Sequence, residues 1–118
     1  MKISYGKNVY GKEEIAAVNK TLRKSTQMGK SVNEFENKVA KYFSKKYALM
    51  VNSGSSALTL AMNVLNIKKG DEIITPCLNF GTAVSSIVMA QATPVFVDIE
   101  IETLQIDVAK IKKKITKK

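Results

Sequence analysis

Three places in the chain carry residue types and spacings that could do chemistry: Asn52-Ser53-Gly54-Ser55-Ser56, Pro76-Cys77-Leu78-Asn79-Phe80-Gly81, and Asp98. The first is a small polar turn between an apolar run and a helical pattern. The leading N–H groups of a helix have no intrahelical acceptor and its dipole is positive there, so an anion is stabilised at such a turn. Ser55 and Ser56 add hydroxyl donors, Gly54 permits a tight turn and close backbone approach, and no bulky side chain blocks access. A phosphate fits this place. The same residues also make an ordinary N-cap and turn, which needs no ligand. In the second stretch Phe80 offers either a flat face on which an aromatic ring stacks or a side chain for the core. Asp98 ends an apolar run, as a group at a ligand-facing edge or as a surface acid.

Much other chemistry is excluded. The 118 residues include no His, no Trp and one Cys, so the chain cannot build the common zinc sites, a Ser-His-Asp triad, a Cys-His dyad or an internal disulfide from its own residues. Gly29-Lys30-Ser31 copies the end of a Walker A loop, but Lys24 stands where the first glycine of that motif belongs, and a helical pattern precedes it where a strand is required. No GxGxxG occurs. The length suits one domain or a piece of a larger one, and 45% apolar content is ordinary for a globular protein.

The elements that must position these residues follow from periodicity. Ile15, Val18 and Leu22 recur at helical spacing across Lys12 to Lys24. Val32, Phe35, Val39 and Phe43 predict a second helix, capped by Ser31 or Asn33, with Glu34 and Glu36 in its first turn. Tyr47 to Val51 is a short apolar run suited to a strand buried on both faces, and Ala57 to Leu65 predicts a well-buried helix. Gly70-Asp71 closes that unit. Glu72 to Thr75, ended by Pro76, is a second strand, a helix follows from about Gly81 to Gln91, and Pro94 to Asp98 is a third strand. Asp107 caps a last helix in which Val108, Ile111 and Ile115 share a face. Strands alternating with helices imply a parallel sheet with right-handed crossovers. Ligands of such sheets bind at the carboxyl ends of the strands, where the Ser-rich turn and the Phe80 loop both open.

The net charge of +9 is unevenly spread. Residues 1–50 hold 11 basic and 4 acidic side chains, residues 51–107 hold 2 and 6, and residues 108–118 hold 6 and 0. The excess belongs to the solvated faces of flanking helices, and the middle is acidic. No apolar run approaches the roughly 18 residues that span a membrane. Residues 1–10 lack the apolar stretch of a signal peptide, so a cytoplasmic location is expected.

Taken together, Gly29-Lys-Ser-Val-Asn-Glu-Phe-Glu36, Val51-Asn-Ser-Gly-Ser-Ser-Ala57, Gly70-Asp-Glu-Ile-Ile-Thr-Pro76, Thr93-Pro-Val-Phe-Val-Asp98 and Asp107 closely resemble the DegT/DnrJ/EryC1/StrS family of sugar aminotransferases, in order and spacing over essentially the whole chain. The resemblance implies an α/β chain forming the N-terminal part of the large domain of the PLP-dependent transferase fold type I, the aspartate aminotransferase-like fold, with an incomplete sheet. Residues 1–46 would be an N-terminal helical segment and residues 47–118 the first part of the large PLP-binding domain. The implied sheet has seven strands, with the first at one edge and the next two at the other. A chain ending at Lys118 would leave the first strand unpaired, and an amino-terminal fragment of a longer enzyme is expected.

By the same resemblance the cofactor is pyridoxal 5′-phosphate, with Ser55 or Ser56 and the backbone at Gly54 on its phosphate and Phe80 stacked on its ring. Met28, Gly29 and Lys30 would lie near the substrate pocket. The Schiff-base Lys and the Asp of the ring nitrogen would fall beyond residue 118, so no catalytic residue is assigned and the fragment alone is expected to be inactive. The implied activity is amino transfer to a nucleotide-linked keto-sugar, with glutamate as the expected donor, in polysaccharide or glycoside biosynthesis by a homodimer. A 3-dehydratase of the same family, working through the pyridoxamine form, is the alternative. A non-catalytic basic module binding nucleic acid is the alternative of another class, and it lacks aromatic residues interleaved with the basic ones and any reader motif.

Overall fold

A computed structural model describes residues 6–24, 26, 27 and 29–117. Its elements are α1 (Lys12–Lys24), α2 (Lys30–Tyr42), α3 (Gly54–Val64), β1 (Glu72–Pro76), α4 (Gly81–Met89), β2 (Thr93–Val97) and α5 (Val108–Ile111), which runs into a 3-10 turn over Lys112–Lys114. The chain divides into two compact units, Met1–Met50 and Val51–Lys118.

In the first unit α1 has the bounds its apolar spacing predicts. Gly11, just before it, has no side chain to cap the helix, and Glu14 reaches back to accept the Gly11 N–H at 2.7 Å. That bond holds the Glu14 carboxyl below its ordinary range. Helix α2 begins earlier than expected. Gly29 is its N-cap and its carbonyl accepts the Asn33 N–H at 3.1 Å, so Ser31 and Asn33 lie inside the helix and neither caps it. Its first turn therefore contains no acid. Glu34 pairs one turn back with Lys30 at 3.9 Å, and Glu36 accepts the backbone N–H of Met50 at 2.7 Å.

The expected first strand, Tyr47 to Val51, joins no sheet among the described residues, and Tyr47, Leu49 and Met50 are exposed. A strand needs a paired backbone as well as an apolar sequence, and no described backbone pairs with this run. It is the strand that the resemblance leaves without neighbours.

The second unit is built on two parallel strands, in register from Glu72 opposite Thr93 to Pro76 opposite Val97. Helix α4 connects them, packs on both and lies against α3. Ile87 of α4, Ala92 just before β2 and Val97 of β2 are buried, as are Thr75 and Ser86. Helix α3 is not the well-buried helix expected: none of its residues is fully buried, and Val64 and Leu65 are exposed. One side of an apolar helix suffices to contact α4, and the rest of this helix faces solvent.

Helices α2, α3 and α4 end alike. Ser44, Asn66 and Gln91 take positive φ (53°, 55° and 59°), and the next residues donate back to Ala40, Met62 and Ile87 at 2.8, 3.2 and 3.1 Å. These are Schellman ends built without glycine, so no glycine marks them in the sequence and α4 stops at Met89, short of the expected Gln91. The last helix is also shorter than expected. Asp107 caps it by accepting the Ala109 N–H at 3.0 Å, but one α turn and a 3-10 turn later Ile115 is extended and leaves the predicted face.

Candidate functional site

The two parallel strands fix which edge can hold a ligand. At their amino ends, Gly70 N–H donates to the Gln91 carbonyl at 3.1 Å and Thr93 N–H to the Asp71 carbonyl at 2.8 Å, so the segments leaving α3 and α4 are stitched together there. The start of α4, just after the end of β1, therefore lies toward the carboxyl edge, and α3 packs on α4 with its end at the amino edge. At the carboxyl edge Cys77 N–H donates to the Val97 carbonyl at 2.9 Å, where the Phe80 loop begins and Asp98 follows β2.

Gly54, Ser55 and Ser56 form the first turn of α3, with Ser53 as its N-cap in extended conformation. The Ser53 Oγ accepts the Ser56 N–H at 3.1 Å and donates to the Ser56 Oγ at 3.0 Å. Capping therefore occupies Ser56, which narrows the expected set of free donors. The N–H groups of Gly54 and Ser55 have no acceptor among the described residues. Gly54 does not take positive φ, so the turn does not demand glycine. Its value is space: a Cβ built there would meet nothing within 4 Å, and the backbone is open to an incoming group. Beside this turn a shallow groove of about 460 Å³ is lined by Val51, Ser55, Ser56, Thr59, Leu60 and Asn63.

Phe80 is the N-cap residue of α4 and is 74% exposed, so it is not a core side chain. Its N–H donates to the Oδ1 of Asn79 at 2.7 Å, a contact that the sequence pattern did not single out. Gly29 and Lys30 belong to the first unit, at the start of α2, where they border an open depression with Val32, Asn33, Glu34 and Glu36. Met28 lies outside the described residues.

Asp98 proves to be tied to its neighbours. Its carboxylate accepts the Ile99 N–H at 3.0 Å and the Lys110 Nζ at 3.2 Å, with the Cys77 thiol at 3.7 Å, and Lys110 also reaches Asp107 at 3.3 Å. The Ile99 N–H, then Lys110, hold the Asp98 carboxyl below its ordinary value, and Asp98 followed by Asp107 raises Lys110. A depressed acid favours the folded state above its unfolded pKa, and the contribution is lost as pH falls through the folded pKa. Asp98 should titrate below the ordinary aspartate range when followed by carbon-13 NMR, and Lys110→Met should move it part of the way back, since the Ile99 bond remains. An unchanged midpoint in that variant would remove Lys110 from the cause.

Comparison with known proteins follows the same residues. The sequence profile of the DegT/DnrJ/EryC1/StrS aminotransferase family matches residues 8–118. GDP-perosamine synthase of Vibrio cholerae is 43% identical over 90 residues, which cover 76% of this chain and 24% of that protein. The structure of Escherichia coli GDP-4-keto-6-deoxy-D-mannose-3-dehydratase with bound hydrated PLP superposes with a TM-score of 0.87 at 35% identity, over 94% of this chain and 30% of that one. The sugar aminotransferase Spr1654 from Streptococcus pneumoniae, assigned that activity only provisionally, superposes in its PLP form with a TM-score of 0.84 at 30% identity, over 98% of this chain and 30% of that one. The chain thus spans 24–30% of the length of these relatives, and its partial α/β fold is that of the matched region.

Proposed function

Because the chain belongs to the DegT/DnrJ/EryC1/StrS aminotransferase family, we propose that it supplies the phosphate-binding helix start and the ring-stacking face of a pyridoxal 5′-phosphate site in an aminotransferase acting on nucleotide-linked keto-sugars. The observation that carries this reading is a helix start with two N–H groups, at Gly54 and Ser55, that have no acceptor among the described residues, together with an exposed Phe80 in the loop that follows β1. These residues fit the cofactor. Its phosphate would take the Gly54 and Ser55 N–H groups and the Ser55 hydroxyl, at the positive end of α3, where the space in front of Gly54 admits close approach. Its ring would lie on Phe80. Bound there, the cofactor supplies an electron sink for bonds at the amine-bearing carbon.

What the chain's own residues contribute is binding and orientation. Ser53 locks the first turn of α3 through Ser56, so the free N–H groups keep their direction with no reorganisation when the anion arrives. Residues 1–46 are proposed as the helical segment and 47–118 as the start of the cofactor domain, with Met28, Gly29 and Lys30 toward the substrate. Glutamate as amino donor, a homodimer and a cytoplasmic location complete the reading. None of the chain's lysines is assigned to the reacting centre. A second reading, a nucleotide-sugar 3-dehydratase, is supported by the somewhat closer superposition on the Escherichia coli dehydratase, and it uses the same cofactor residues.

Pyridoxine 5′-phosphate tests the site because it has the ring and the phosphate but no aldehyde to condense with surface lysines. Added to the nitrogen-15-labelled chain, it should shift the amides of Gly54, Ser55 and Phe80. Shifts confined to the lysines after Asp107, or none at all, would overturn the reading, and the former would favour a basic anion-binding module.

A further inference from the structure

Phe80 raises a positioning problem. With 74% of its surface exposed, packing does not hold it, and as the N-cap of α4 it has no side-chain oxygen with which to fix its own helix start. Only its backbone can be held. Its carbonyl accepts the Ala83 N–H at 2.9 Å, which fixes the helical side, while its N–H is held by the residue before it.

We propose that Asn79 is the positioning residue of this site: through its carboxamide it ties the backbone of Phe80 to β1 and so sets where the stacking ring leaves the chain. The inference rests on the cofactor reading above. The Asn79 Oδ1 accepts the Phe80 N–H at 2.7 Å, and its Nδ2 donates to the Oγ1 of Thr75 at 3.4 Å. Thr75 is only 4% exposed and sits in β1 opposite Phe96 of β2, so its hydroxyl is a fixed point. The path from sheet to ring therefore runs Thr75, Asn79, Phe80. The shorter bond holds Phe80, and the longer one holds the amide that makes it. An acceptor and a donor are both required, which a carboxamide provides and Ala, Leu or Val does not.

Position matters more than contact area here. A stacked ring gains from a defined offset geometry, so a wandering Phe80 would lose affinity for the ring and leave the phosphate site at α3 untouched. This separates a positioning role from a general loss of structure, which would weaken both.

Three readouts on the purified chain and on Asn79→Ala and Thr75→Val test the proposal. Hydrogen exchange of the Phe80 amide, which involves no ligand, should speed up about fivefold or more in both variants, the size expected for one lost neutral hydrogen bond. Affinity for pyridoxine 5′-phosphate should fall by about fivefold, while affinity for inorganic phosphate stays within twofold. Far-ultraviolet circular dichroism should be unchanged; should Thr75→Val disturb the strand, Asn79→Leu, which keeps the side chain's size but has neither donor nor acceptor, replaces it and should lose the ring preference likewise. Unchanged exchange at Phe80, or equal weakening of both ligands, overturns the role of Asn79. An unaltered chain that binds neither ligand overturns the cofactor reading and, with it, any role for Asn79 in stacking.

Discussion

Ser55→Asp is expected to stabilise the chain and to abolish its affinity for phosphate-bearing ligands. Ser55 is exposed in the first turn of α3, with Ser53 as N-cap. A carboxylate there meets the positive end of the helix dipole and the unpaired N–H groups, which is worth about 0.3–1 kcal/mol at a surface site. The melting temperature should therefore rise by a few degrees, or at least not fall. For an incoming phosphate the same carboxylate is a like charge in the place the ligand needs. At about 4 Å and an effective dielectric near 20, each pair of unit charges repels by about 4 kcal/mol, far more than the helix gains. Affinity for inorganic phosphate or pyridoxine 5′-phosphate should drop at least about 100-fold. Calorimetry of binding together with a thermal melt reads both signs from one variant. Retained binding would place the anion elsewhere, and lost stability would deny that α3 opens freely at Ser55.

Ile87→Ala should cost about 2–4 kcal/mol in the unit carrying the site. Ile87 is 2% exposed on α4, which packs on β2, and the few other buried apolar residues include Val97, which is 1% exposed. Such a small core has little to collapse into the cavity, so the lost methyl groups leave a void and forfeit their dispersion contacts. Typical domains have about 5–15 kcal/mol in total, so the loss is a large fraction of the whole. Urea unfolding followed by circular dichroism should show an earlier midpoint or a broadened transition. Leu65→Ala, at a residue 69% exposed just past α3, is the matched control and should change stability by less than about 0.5 kcal/mol. Equal midpoints for the two variants would remove Ile87 from the core.

The fold and site were legible to different depths. Periodicity located α1 to the residue and both strands of the sheet to within one residue, because alternation and helical spacing are written directly in side-chain polarity. It ran past the end of α4, where Gln91 sits in the left-handed region, since nothing about this residue type announces the conformation. It also failed for Tyr47 to Val51. Apolar content there signals an appetite for burial, but a strand exists only where another backbone pairs with it.

At the site the same division holds. The residue types of Gly54, Ser55 and Phe80 named the candidate chemistry of a phosphate and a ring. Which donors remain free could not be read from type, because Ser53, Ser55 and Ser56 are chemically equivalent until one becomes the cap. Asn79 was invisible for a related reason: its importance lies in a bond to Thr75, four residues away on a strand whose position the folded sheet fixes.

By itself, then, the sequence determined the order and kind of the elements, the resemblance carried by their connecting motifs, and the absence of histidine- or disulfide-based chemistry. Those properties depend on residue type and local spacing, which survive in an unfolded chain. The tertiary structure decided that the segments leaving α3 and α4 are joined at the amino edge of the sheet, that Ser53 and not Ser55 serves as the cap, and that Asp98 is held by Ile99 and Lys110. Each of these depends on hydrogen bonds or register between residues whose relative positions exist only after the strands have paired.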